Sequence, residues 1–173
     1  PRQALMLAVP VASLAALLQL PSDLLVSMSI LDLQLEPLRV DRLSRLFGIL
    51  FHIGAFIGIV FSLHSRDRTQ HVAALAYAGS ALGAVFAGDL LTLFVFWELL
   101  AVSSVFLIFA SRTERSFGAG MRYLVIQVIS GVLLLAGALI LYGQSGSLRF
   151  EHIGLTGAGS MLIFIAFGIK CAF

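Results

Sequence analysis

Cysteine is nearly missing from the 173 residues: Cys171 stands alone, which excludes an internal disulfide and a cysteine metal cluster. Charge is almost as scarce. Asp, Glu, Lys and Arg make up 12% of the chain, against about a quarter in a soluble domain, and Lys170 is the only lysine. The formal net charge is +2, from 11 basic and 9 acidic residues. Without a basic stripe and interleaved aromatics, no nucleic-acid partner is expected. A GxxxxGK(S/T) loop, a Rossmann glycine pattern, HExxH and GxSxG are all missing, so nothing points to a nucleotide, a flavin or an iron–sulfur cluster. No cofactor is expected. No histidine has a partner at metal-ligand spacing, so no metal is expected either.

What fills the chain is apolar. Hydrophobic residues make up 60% of it and the mean hydropathy is +1.03. That excludes a disordered chain and leaves an integral membrane protein. A membrane helix needs ~20 mostly apolar residues, because the hydrocarbon core is about 30 Å thick and each residue rises ~1.5 Å. Six runs qualify or begin to: Gln3 to Leu20, Asp41 to Leu63, His71 to Gly88, Asp89 to Ala110, Gly118 to Tyr142, and Gly159 to the end. None alternates with the period of two that a β-barrel strand requires. The expected fold is all-α, a polytopic helix bundle of about six spans in a single transmembrane domain over residues 1–173. The last run, only ~22 Å long at 1.5 Å per residue, reads as truncated, and the missing starting Met suggests a cut front.

The third and fourth runs form one stretch interrupted by Gly88-Asp89. Glycine permits a tight reversal there, and Asp89 can cap the next helix. Ser65-Arg66-Asp67-Arg68 and Ser111 to Arg115 are charged connectors. The longest connector, Pro21 to Val40, holds Asp23, Asp32, Glu36 and Arg39, with Pro21 and Pro37 as breakers. A cytoplasmic start puts Arg2, Arg66, Arg68, Arg112, Arg115 and Arg122 inside and Arg39, Arg42, Arg45 and Arg149 outside, the direction favoured by the positive-inside bias. A signal peptide is not expected of the first run, which begins Pro1-Arg2 without an initiating Met and ends Leu18-Gln19-Leu20-Pro21 without a small-residue cleavage site.

Polar residues inside such helices call for explanation. Glu98 lies nine residues after Asp89, ~13 Å deep, and Lys170 eleven after Gly159, ~16 Å deep. His52 is eleven after Asp41 and Gln127 nine after Gly118. All four fall near the middle of the core, where ionisable groups are costly and default to function. Glu98 reads as a proton-carrying carboxylate, the alternative being a neutral glutamate that supports packing. Lys170 reads as its partner of opposite sign, too deep to snorkel to an interface. Burial disfavours charge on both groups and mutual approach favours it, so a pair that opens and closes could capture and release a proton. His52 is either a proton relay or a neutral histidine packed on its neighbours. Gln127 and Ser130 read either as groups that orient a water or, the favoured reading, as bonds across helices. His64 and His71 flank the Arg66-Asp67-Arg68 charges and read as solvated. Trp97 reads as packing, and the Gly54/Gly58 and Gly79/Gly83 pairs as spacing that lets helices approach.

These residues resemble a known family. Asp89-Leu-Leu-Thr-Leu-Phe-Val-Phe-Trp97-Glu98 is similar to the fifth-helix signature of the antiporter-like membrane subunits, which include the large subunits of Mrp sodium/proton antiporters and the proton-pumping subunits of complex I and related membrane hydrogenases. Val40-Asp41-Arg42-Leu43-Ser44-Arg45-Leu46-Phe47 resembles the opening of the family's third helix, and Phe167-Gly168-Ile169-Lys170-Cys171-Ala172-Phe173 the start of its seventh-helix lysine motif. Met121-Arg-Tyr-Leu and Leu141-Tyr-Gly-Gln-Ser-Gly-Ser-Leu look closest to the D-type Mrp subunit. The resemblance implies a proton half-channel in which Glu98 and Lys170 exchange protons, with His52 as a relay. It implies the front half of a subunit cut at both ends, a transporter component rather than a stand-alone enzyme, in a bacterial inner membrane. The partners it implies are other membrane subunits, the bilayer, protons and sodium. Membership of complex I or a hydrogenase, or a scaffold that moves no ion, are the alternatives.

Overall fold

The computed structural model describes residues 2–30, 33–65 and 67–172. Asp32, Arg66 and Phe173, which figured in the connector, the charge asymmetry and the lysine motif, lie outside the described residues, as do Pro1 and Leu31. The order is α1 (Arg2–Gln19), β1 (Leu24–Ile30), β2 (Leu33–Val40), α2 (Arg42–Ser62), α3 (Arg68–Phe86), α4 (Leu90–Phe109), α5 (Glu114–Ser145) and α6 (Ala158–Lys170). Each helix coincides with one of the six apolar runs. By length and composition α2, α4 and α5 are long and apolar enough to cross a membrane, while α1 and α6 are shorter apolar helices. The outward faces carry many exposed apolar side chains, for example Leu43, Leu46, Leu50, Ile53, Ile57 and Phe61 along α2. Asp89, Gln127, Ser130 and Ser160 are instead buried between helices. Apolar outside and polar inside is the arrangement that a lipid solvent selects.

Side-chain caps set several helix starts. Asp41 and Ser44 form a reciprocal capping box at 2.8 Å each way, and Thr113 and Ser116 another. The second cap starts α5 at Glu114, four residues before the expected Gly118, and the helix runs three residues past Tyr142. At 32 residues it is ~48 Å long and outreaches a 30 Å core.

The segment from Pro21 to Val40, read from the sequence as the longest connector, contains two strands. It folds into an antiparallel hairpin, with Leu24 opposite Val40 and Ile30 opposite Leu33. Val26 pairs with Leu38 and Met28 with Leu35, so Ser27 alone faces Glu36 and Pro37. That bulge accommodates Pro37, which has no N–H to give the ladder. β2 turns Leu35, Glu36 and Val40 inward, whereas β1 is exposed beyond its first residue.

Consecutive helices pack against each other in order, up and down. The hairpin, Gly88-Asp89 and residues 146–157 therefore share one face of the bundle. Gly88 N–H donates to Glu36 O and Leu90 N–H to Leu148 O, both at 2.9 Å. Residues 63–65, Asp67 and the connector at 110–113 share the opposite face, where Arg112 pairs with Asp67 at 2.8 Å. Gly88 serves the reversal by close approach and not by a left-handed backbone: a Cβ there would lie 2.7 Å from Glu36 Cβ. The Gly54/Gly58 pair and Gly79 bring no helix close, since nothing lies within 4 Å of where their Cβ atoms would be, and Gly83 receives the Phe96 ring. The close approach is at Gly137 and Gly159 instead, where a Cβ on Gly137 would sit 2.6 Å from Gly159 O. That contact presses α6 onto α5. A buried cluster of Leu90, Leu93, Trp97, Leu134, Ile163 and Ala166 joins α4, α5 and α6 around the polar residues described next.

Candidate functional site

Three of the four midplane residues come together. Lys170, at the end of α6, donates from Nζ to Gln127 Oε1 on α5 at 2.6 Å. An ammonium can only donate, which fixes the amide oxygen as the atom facing it. The same ammonium lies 4.6 Å from the centroid of the Trp97 ring on α4, a cation–π contact. Trp97 is held edge-on by Phe167 at 4.9 Å. One turn along α5, Ser130 donates to Ala166 O at 3.0 Å and ties α5 to α6 again.

Glu98 approaches from α4 and lays its carboxyl group against Gly131. A Cβ on that glycine would overlap Glu98 Oε1 and come within 2.7 Å of Cδ. Glu98 Oε1 and Trp97 Nε1 are buried without a hydrogen-bond partner among the described residues. No ion pair joins Glu98 to Lys170 among those residues. The site thus holds a carboxyl group with a free oxygen and an ammonium on a flexible arm, one helical turn apart on the α5 surface. Such a pair can bind a proton, and a change in its separation changes how tightly the proton is held.

His52 belongs elsewhere. It lies buried between α2 and α1, with Nδ1 2.7 Å from Gly48 O and Nε2 2.8 Å from Ser13 Oγ. A carbonyl can only accept, so Nδ1 carries a hydrogen, and a neutral ring then accepts the Ser13 hydroxyl at Nε2. His64 is exposed as expected, but His71 is buried rather than solvated, its Nε2 3.0 Å from Ser62 O. That contact sets His71 against the end of α2.

Two features are not evident from the sequence. One is Gly131 as the seat of the Glu98 carboxyl. Its signal is the buried stripe of Gln127, Ser130, Gly131, Leu134, Gly137 and Ala138 on α5, small or polar at most positions and spaced by three or four residues. The other is a polar junction beneath the hairpin. The Asp89 carboxylate, fully buried, accepts from Glu36 N at 2.7 Å, Thr92 N at 2.8 Å and Thr92 Oγ1 at 2.7 Å. Beside it the Glu36 carboxylate pairs with Arg149 Nε at 2.5 Å.

Gly131 makes a separable prediction. In Gly131→Ala the new methyl meets the far end of a flexible side chain, which can rotate away, so thermal stability should change little. The carboxyl group must nevertheless move by an ångström or so, and misplacement on that scale slows positioned chemistry by on the order of 10- to 100-fold. Proton flux in reconstituted vesicles, compared with the melting temperature of the same preparation, measures both.

The family described as NADH:quinone oxidoreductase/Mrp antiporter, transmembrane, matches residues 87–173, which contain α4, α5, α6 and the whole site. The chain is 28% identical over 153 residues to the N-type subunit of NADH-quinone oxidoreductase from Deinococcus radiodurans, covering 78% of this chain and 31% of that protein. It is 27% identical over 134 residues to the D-type subunit of the Na(+)/H(+) antiporter from Bacillus subtilis, covering 67% and 27% respectively. The fold matches a chain of the membrane-bound sulfane sulfur reductase, an archaeal respiratory membrane complex, with a TM-score of 0.81 at 22% identity, over 98% of this chain and 30% of that one. The chain spans under a third of the length of each of these relatives.

Proposed function

The chain belongs to the NADH:quinone oxidoreductase/Mrp antiporter transmembrane family, and from that premise we propose that it is a proton-carrying part of a subunit of a multisubunit sodium/proton antiporter. It is a membrane subunit of a family whose members work in assemblies with other membrane subunits. In this reading it sits in a bacterial inner membrane with the hairpin face outward, and Glu98 and Lys170 move the proton.

The observation that carries the reading is the pair itself: a half-buried carboxyl group with one buried, unpartnered oxygen near a half-buried ammonium that is not bonded to it. When the ammonium stands off, Glu98 can hold a proton as a neutral acid. When the ammonium swings in, its charge favours the carboxylate and the proton leaves. When it swings out, the carboxylate takes a proton again. Each cycle moves one proton, and the charge left in the protein is unchanged. His52 enters only as a relay on the α1–α2 side, exchanging through Ser13, because its hydrogen bonds reach no residue of α4 among the described residues.

The similarity to an oxidoreductase subunit supports a second reading, a redox-driven pump. There the same pair would do the same work with a different energy source. In both, Glu98→Gln in the complete subunit should reduce proton flux at least 100-fold while the complex still assembles. Flux at the normal rate would defeat both.

A further inference from the structure

We propose that Gln127 is a positioning residue, the resting station that holds the Lys170 ammonium off Glu98 between proton transfers. This rests on the reading of Glu98 and Lys170 as the proton carriers. Three observations support it. The Lys170 ammonium is bonded to Gln127 Oε1 at 2.6 Å and not to Glu98. The Trp97 ring supports the ammonium from the α4 side at 4.6 Å. And Gly131, the residue against which the Glu98 carboxyl lies, is four positions from Gln127, so both groups are seated on one face of α5. The two seats are one turn apart, ~5.4 Å along the axis, a span that a four-carbon arm sweeps by changing rotamers.

A neutral acceptor suits a station. An amide oxygen satisfies one ammonium proton through a charge-assisted bond yet adds no charge of its own, so the ammonium can leave for the carboxylate. The ring face acts in the same way, attractive to a cation and neutral. A carboxylate at 127 would compete with Glu98 for the same ammonium and hold it. The other explanation of the contact is a plain clamp between α5 and α6, with no part in transport.

Gln127→Glu separates the two, because it keeps the side-chain length and strengthens the bond. A clamp is preserved or improved by that change; a station becomes a trap. In the complete complex reconstituted in vesicles, with proton flux followed by a pH-sensitive dye under an imposed sodium gradient, Gln127→Glu is expected to be at least tenfold slower than the parent at an undiminished melting temperature. A parental rate would overturn the inference. Should Gln127→Glu fail to assemble, Gln127→Met decides: a rate at least fivefold lower at an unchanged melting temperature supports the station, and a parental rate removes it. Glu98→Gln run alongside keeps the two claims apart. If Glu98→Gln is inactive and both Gln127 variants transport normally, only the station falls. If Glu98→Gln transports, the proton-carrier reading falls with it.

Discussion

A subunit carrying Glu98→Gln together with Lys170→Met is expected to assemble, melt near the parental temperature and move no protons. The argument is one of charge balance. Removing one partner of a buried pair leaves the other uncompensated and costs ~3–5 kcal/mol, whereas removing both and keeping their volume is often neutral or stabilising. Here the loss on the other side is the bond from Lys170 to Gln127, a hydrogen bond to a charged group and so ~1.5–3 kcal/mol. Taking the ammonium and the carboxyl group out of this half-buried site gives a relief of the same order, so the sum is small. Transport has no such compensation, because neither Gln nor Met binds a proton at any accessible pH. Flux should fall at least 100-fold, to the leak of empty vesicles. Native gels, a melting curve and vesicle flux on one preparation test the three parts together. A scaffold role for the pair predicts normal flux in this variant, and that result would reduce Glu98 and Lys170 to packing.

Depth is readable in the sequence and azimuth is not. Counting from helix starts places Glu98, Lys170, Gln127 and His52 near one level, and three of the four meet. His52 has the same depth but points from α2 to Ser13 on α1, and nothing in a residue count says which neighbour a helix face will have. The six runs locate the six helices because apolar length is a strong signal for membrane segments. The α5 boundary slips because its start depends on the Thr113–Ser116 cap, a local bond inside a segment that looks like a charged connector. The hairpin stays hidden for a related reason: Pro21, Pro37 and four charged residues interrupt the segment, and the bulge at Glu36 and Pro37 breaks any period of two along β2. His71 reads as a surface residue on the strength of its charged neighbours, whereas it is buried with its ring against Ser62 O at the end of α2. The family resemblance names Glu98 and Lys170 but says nothing of their separation, and the separation is what suggests a cycle.

Asp89→Ala should give the largest loss of stability among substitutions outside the proton pair. The side chain caps α4 through Thr92 N–H, and losing such a cap costs ~1 kcal/mol. Its second oxygen accepts the Glu36 backbone N–H at 2.7 Å in a fully buried position, and a buried donor left without a partner costs ~1–3 kcal/mol. The Thr92 hydroxyl loses its acceptor too, for a total of about 3–5 kcal/mol. Asp89→Asn distinguishes the contributions. Its carbonyl oxygen can still cap Thr92 N–H, but its NH2 then faces the Glu36 N–H, donor against donor, so the cap survives and the hairpin anchor does not. The expected order of melting temperatures is parent, Asn, Ala. Amide exchange at Glu36 should quicken in both variants, together with proteolysis between Pro21 and Val40, because Asp89 joins α4 to the edge of β2 through that one amide. Exchange at the Thr92 amide should quicken only in Asp89→Ala. If Asp89→Ala melts with the parent and its hairpin stays protected, the anchor lies in the Gly88–Glu36 backbone bond and the Glu36–Arg149 pair instead.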